Sequence, residues 1–406
     1  MKNKNLLLLT FLLFSMTLLA QTNKKNWKVE FSGFVKTDMF FDTRQTVSVR
    51  EQHFLLYPKA EQFDVMGKDI NDKANFNILS IQTRLRAKVT GPVIAGAKSS
   101  AFVEGAFFGH TNADINGFRL RHAFLKLDWK NTALLIGQYW HPFFVPEVFP
   151  GVVSFNTGVP FQPFSRNPQI RLTQKFNKLF LTLTAASQRD FADIGPAGTG
   201  SVYLRNSGIP MLGAQLMYKS KGVVIGGGLN IKTLLPRLVT TKNYKSEETI
   251  TATAFIGYLK FVHKNFSAKF EGVYGSDMYD LLMIGGYGVK STDPITGIEK
   301  YEGIKTFSMW TDLSYGKKIA VGLFAGYSKN MGADVNINGP IFARGSNIEY
   351  AFRITPRLIY NLNKVRFATE LEYTTASYGT ISSDATVANS KSISNLRLLI
   401  AAYYFF

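Results

Sequence analysis

The sequence predicts an all-β chain: a transmembrane antiparallel β-barrel of about sixteen strands, with short turns at one end and long loops at the other. Three observations predict it. Apolar and polar residues alternate through segments of about ten, which is the period of a wall with lipid on one side and water on the other. The chain has no run of about 18 consecutive apolar residues, which excludes a helical membrane protein. It closes on an alternating segment that ends in an aromatic residue, Phe406. Composition agrees: 14% of residues are aromatic, 18% are charged and the mean hydropathy is −0.01, so the apolar content is ample but dispersed. A closed barrel is one of two ways to cross lipid with every backbone polar group hydrogen-bonded.

Lys2 and Lys4 precede an apolar run from Leu6 to Ala20, the layout of a secretory signal peptide over residues 1–20. The run is shorter than the roughly 20 residues that cross a bilayer. The mature chain is expected to begin at Gln21, with residues 21–406 forming one barrel domain. The chain has no cysteine, so disulfides, thiolate metal sites and lipidation of an N-terminal cysteine are excluded.

The first strand is read at Phe31 to Phe41, with Phe31, Val35, Met39 and Phe41 on one face and Lys36 and Asp38 on the other. A long charged loop follows. Leu79 to Val89 sets Leu79, Ile81, Leu85, Ala87 and Val89 against Ser80, Gln82, Arg84, Arg86 and Lys88, and Gly91-Pro92 is read as the turn that ends it. Ser99 to Phe108 carries Glu104 on its polar side. From Phe118 the chain reads FRLRHAFLKLDW, with Phe118, Leu120 and Phe124 on one face and Arg119 and Arg121 on the other. Thr132 to Tyr139 returns, and Gln169 to Phe176 places Arg171, Thr173 and Lys175 together. Between them, His141 to Pro168 holds six prolines and six phenylalanines. That composition excludes regular structure and is too apolar for a solvated loop, so the segment is expected to fold inward.

Ten further strands run from Phe180 to Phe406, joined alternately by turns such as Lys264-Asn265 and by long connections such as Gln188 to Pro210 and Ala376 to Lys391. In the last strand Leu396, Leu398, Ile400, Ala402, Tyr404 and Phe406 share one face. Bacterial outer-membrane proteins end in this way, and a Gram-negative outer membrane is the expected location.

The run FRLRHAFLKL with LLIGQYW, the Pro/Phe-rich loop, RNPQIRLT and the opening GFVKTDMFFD resemble the DcaP-like family of trimeric outer-membrane porins. Arg119, Arg121, Gln138, Gln169 and Arg171 carry the specificity of the match, which covers the first half of the mature chain. The resemblance implies a homotrimer and a channel that prefers anionic solutes, including small dicarboxylates. Members of that family can carry an N-terminal coiled coil, whereas about ten residues separate Gln21 from the first strand here.

The charges point the same way. Removing residues 1–20 takes Lys2 and Lys4 and no acid, so the formal charge goes from +19 to +17. A charge at the lipid midplane costs ~2–4 kcal/mol, so the polar rows belong inside. Arg84, Arg86, Arg119, Arg121, Arg171, Lys175, Arg353 and Arg357 are the candidate pore-lining, anion-binding residues, since arginine rings select anions and grip carboxylates bidentately. Bracing of the wall by Arg–Glu pairs is the alternative. Phe143, Phe144, Phe155, Phe161 and Phe164 are the candidate constriction, suited to solutes with a carboxylate and an aromatic body; packing at a subunit interface or the rim is the other reading. No catalytic residue, metal or cofactor is expected: His122, read on the outward face of its strand, and nearby Asp128 lack an accompanying Gly-x-Ser-x-Gly elbow, and the other histidines are scattered. The expected partners are outer-membrane lipid and small anions, not nucleic acid. An adhesin or a membrane-face hydrolase is the alternative class.

Overall fold

The computed structural model describes residues 27–109 and 111–406. The expected signal peptide and the start of the mature chain lie outside the described residues. Sixteen antiparallel wall strands, numbered in chain order, form the barrel: β1 (Lys28–Asp42), β2 (in two pieces, Asn75–Leu79 and Arg84–Ile94), β3 (Ala97–Ala106), β4 (Arg119–Asp128), β5 (Thr132–Trp140), β6 (Arg166–Phe176), β7 (Leu179–Ala186), β8 (Met211–Ser220), β9 (Val223–Leu234), β10 (Ile250–His263), β11 (Phe266–Ser276), β12 (Glu299–Gly316), β13 (Ile319–Gly332), β14 (Ile348–Leu362), β15 (Val365–Ile381) and β16 (Val387–Phe405). Each pairs with its neighbours in sequence. The ring closes where β1 meets β16, from Phe34↔Phe405 to Asp42↔Arg397.

The closing seam shows why the terminal aromatic fits. Gly33 N donates to Phe406 O at 3.1 Å and Phe406 N donates to Gly33 O at 3.2 Å. A Cβ on Gly33 would stand 2.8 Å from the Phe406 ring and 2.2 Å from Arg84 O, so only glycine admits this contact. Leu396, Leu398, Ile400, Tyr404 and Phe406 are exposed on the outer face, while Arg397, Leu399 and Ala401 are buried inside. The period-two pattern thus reads as lipid outside and lumen within.

The wall is uneven. β3 to β7 have 8 to 11 residues, whereas β12 to β16 have 14 to 19. Within the long loops, a hairpin of Thr46–Val49 and Phe54–Pro58 packs into the barrel mouth, and Gly285–Thr292 with Ile341–Arg344 extends the sheet above β12. The main apolar core lies in the lumen. There Phe54, Phe108 and the Pro/Phe segment, including Phe155 and Phe164, pack together.

Two departures from strict alternation have local causes, and two element boundaries shift. Between Asp38↔Leu79 and Phe34↔Arg84 the first strand spends four residues and β2 spends five, so one extra residue flips the phase. Leu79 and Ile81 therefore point into the core, while Leu85 stays outside. The pairing of β3 with β4 shifts between Glu104↔His122 and Gly105↔Leu120, a β-bulge that puts consecutive Arg121 and His122 on the inner face. Phe118 and Leu120 remain outside, but Phe124 moves to the lumen and His122 is not outward-facing. The turn expected at Gly91-Pro92 falls at Ala95-Gly96, where both residues take left-handed φ of 47° and 77°. The connection read as Ala376 to Lys391 is largely strand, since β15 continues to Ile381 and β16 begins at Val387.

Candidate functional site

The segment between β5 and β6 is tied across the barrel. His141 N donates to Ser165 O at 2.9 Å and closes its neck. Its tip is held by the tall wall: Val153 N and Ser154 N donate to Glu370, Asn156 Nδ2 donates to Glu372 Oε2 at 2.7 Å, and Ser308 Oγ donates to Phe161 O at 3.0 Å. Lys36 Nζ reaches Val153 O at 2.8 Å and Gln215 Nε2 reaches Pro142 O at 2.6 Å. The partners belong to β1, β8, β12 and β15, and their inward-facing side chains satisfy loop backbone groups that burial would otherwise leave unpaired.

Phe143, Phe144, Phe155, Phe161 and Phe164 are all buried. Phe144 stacks on Trp140 with centroids 3.7 Å apart, and Phe155 stacks on His53 at 5.0 Å. These rings build the loop and glue it to the mouth hairpin. Phe144, Phe155 and Phe164 also line a cavity of about 630 Å³ between the loop and the low wall.

Opposite the loop stands a row of arginines on β2, β4 and β6. Glu104 receives Arg86 Nε and Arg121 Nε at 2.6 Å each, with Arg84 Nη1 at 3.7 Å and His122 Nε2 at 3.9 Å. Asp190 receives Arg166 Nε at 2.7 Å and also pairs with Arg119. Burial acts to raise the Asp190 pKa, but Arg166 and Arg119 outweigh it and hold the carboxyl below its ordinary value. Arg50, from the mouth hairpin, donates through Nε to Gly109 O at 2.9 Å. The ring of Phe108 is the hub: the guanidinium carbons of Arg50, Arg121, Arg166 and Arg119 lie 4.7, 5.4, 5.8 and 5.9 Å from its centroid. Five guanidinium groups share two carboxylates here, and that of Arg50 makes a sixth positive charge beside them. The aromatic face offsets part of that charge, each such contact being worth about 0.5–2 kcal/mol.

The remaining candidates separate. Arg171 lines an adjoining cavity of about 370 Å³ together with Lys126, Lys219 and Glu147. Its Nη2 donates to Trp140 O at 2.8 Å, and its guanidinium lies over Tyr139. Lys175 faces inward near the end of β6, over Phe180. Arg353 and Arg357 stand on the tall wall, away from the cluster. Arg353 donates to Thr374, Val159 O and Leu56 O, and Arg357 pairs with Asp312 at 2.7 Å. These two brace the loop and the wall.

Sequence reasoning missed Arg50, Arg166 and Asp190. Arg50 and Asp190 lie in loops, where periodicity carries no information. Arg166 has the parity of outward-facing Ile170, yet it is buried, because alternation breaks at the loop end of the strand, where Arg166 and Asn167 are both buried. The nearby Pro168 was the available signal of that break.

No protein-family model matches the chain, and no curated protein does. Solved structures do match over nearly all of it. The outer membrane channel DcaP of Acinetobacter baumannii superposes with a TM-score of 0.71 at 16% identity, over 95% of this chain and 99% of that one. An anion-selective porin from Comamonas acidovorans gives 0.57 at 13% identity, over 94% and 100%. OmpT of Vibrio cholerae, in a trimer form, gives 0.53 at 10% identity, over 94% and 100%. This chain therefore has the sixteen-stranded outer-membrane porin fold, and over 95% of its length that fold is similar to the DcaP channel's.

Proposed function

We propose that residues 1–20 are an export signal and that residues 21–406 form an outer-membrane porin through which small hydrophilic, preferentially anionic solutes diffuse passively. One observation carries the reading: on one side of the lumen, among the described residues, Arg84, Arg86, Arg119, Arg121 and Arg166 share two carboxylates, Glu104 and Asp190, and Arg50 beside them is bonded to a backbone carbonyl. Two charges ~4 Å apart interact by about 4 kcal/mol at an effective dielectric of 20, so an entering anion is attracted and a cation repelled. The loop at 141–168 narrows the lumen opposite this row. The matched porin from Comamonas acidovorans is described as anion-selective, which agrees.

The inner cavity joins Arg84, Arg86 and Arg121 to Trp140 and Phe144. That pairing suits a carboxylate with an apolar or aromatic body, and small dicarboxylates as well. The chain works as a conduit and not as an enzyme, within a homotrimer like the trimer form of the matched OmpT. Single-channel recording of the purified protein under a salt gradient tests this. Conducting steps in threes with a reversal potential favouring chloride are expected, and a cation-favouring potential or an inserted barrel without conductance would defeat the proposal.

A further inference from the structure

A separate cavity of about 380 Å³ opens on the long-loop side of the arginine row. Its walls come from several directions. Arg50 and Arg119 line it from the mouth hairpin and β4, Arg189 from the loop after β7, and Arg344 and Tyr279 from the segments above β12. The Arg344 guanidinium lies 4.2 Å from the Tyr279 ring centroid, and its Nε is buried without a hydrogen-bond partner among the described residues. Arg189 is exposed. The lining carboxylate, Asp190, is already engaged by Arg119 and Arg166. Arg50 is pushed down to about 9 by burial and by neighbouring Arg119 and Arg166, against the pull of Asp190. A buried guanidinium among like charges is relieved by any anion that enters.

We infer that this outer cavity is a binding station for a tetrahedral oxyanion, inorganic phosphate or the phosphate of a monoester, which the solute meets before the arginine row. A carboxylate accepts hydrogen bonds in one plane, so a single pair of donors serves it. A tetrahedral dianion presents acceptors in every direction, and here the guanidinium groups and the Tyr279 and Thr199 hydroxyls converge from different loops. The site rests on the anion-channel reading but uses Arg189 and Arg344, which stand outside the row assigned to selectivity.

The test is block of chloride current through the full-length protein in a planar bilayer, with inorganic phosphate added on the long-loop side. Phosphate should produce resolved closures. Arg344→Gln and Arg189→Gln should each shorten them about tenfold, the loss of one charge-assisted contact. The chloride reversal potential should stay unchanged in both variants, and succinate, a dianion whose charges sit on two planar carboxylates, should block briefly and alike in all three proteins. Because Arg189 is exposed, its variant keeps the fold if Arg344→Gln disturbs it. Phosphate closures of unchanged length in both variants would overturn the site, as would succinate closures equally long and equally sensitive. A wild-type reversal potential that does not favour chloride would instead overturn the anion reading, and the site with it.

Discussion

Glu370 on the tall wall accepts a hydrogen bond from the main-chain N–H of Val153, at 2.6 Å, and so pins the tip of the inward loop to the far side of the barrel. The same carboxylate takes Ser154 N at 2.9 Å, and both ends of each bond are buried. Glu370→Ala leaves two buried donors unpaired at about 1–3 kcal/mol each. The wall itself is held by its ladder, so the loss falls on the loop. Single-channel recordings should show a larger and noisier open level, with Glu370→Gln intermediate and heat-resistant migration on gels retained. An unchanged open level would mean that the loop does not limit conductance.

Neutralising Arg84, Arg86, Arg119 and Arg121 together as glutamines should weaken the anion preference. Four positive charges leave the row while Glu104 and Asp190 remain, so the balance of the cluster turns from excess positive to even. The salt-gradient reversal potential should move toward zero or past it, and circular dichroism should show the sheet intact. Selectivity identical to wild type would place the filter elsewhere in the barrel.

Much of the fold was legible because a barrel wall has one rule with a short period. Leu85 and Arg86, or Leu398 and Arg397, separate by parity alone, and the alternation of short and long connections sets the strand order. The same rule fails where one residue is added. The bulge at Arg121 turns His122 from a lipid-facing residue into a neighbour of Glu104, and the extra residue between Leu79 and Arg84 turns Ile81 inward. No composition signal marks either insertion, because each is fixed by the register of the adjacent strand. The site was half legible for a related reason. Arg84, Arg86, Arg119 and Arg121 sit on strands and were found, whereas Arg50 and Asp190 arrive from loops whose course depends on tertiary packing around Phe108.

Glu104→Gln gives a prediction of opposite sign. Glu104 is the carboxylate shared by Arg84, Arg86 and Arg121, and an amide of the same shape removes its charge. Anion preference should rise, with the reversal potential moving further toward that of chloride. Stability should fall by about 3–5 kcal/mol, since buried Arg121 loses its partner. A fall in anion preference would show that Glu104 acts by shaping the arginines and not by offsetting them.

His141 should make the loop sensitive to acid. Its Nδ1 accepts from Phe143 N at 3.1 Å, so the proton sits on Nε2, which faces Met211 Sδ at 3.3 Å. Burial, with Lys232 and Arg171 nearby, brings its pKa down to about 4 despite the pull of Asp280. The ordinary value is about 6.5, so between these limits the unfolded chain binds a proton that the folded loop refuses. Stability is therefore fully present above pH ~6.5 and is lost as the pH falls toward 4, by up to about 3 kcal/mol. Protonation at Nδ1 also puts two N–H groups face to face at the neck of the loop. The open level should become noisy as the pH is lowered through this window, and His141→Gln, which can accept but cannot titrate, should flatten the response. If the variant keeps the wild-type pH profile, the titrating group lies elsewhere, and His53, buried against Asp38, is the next to replace.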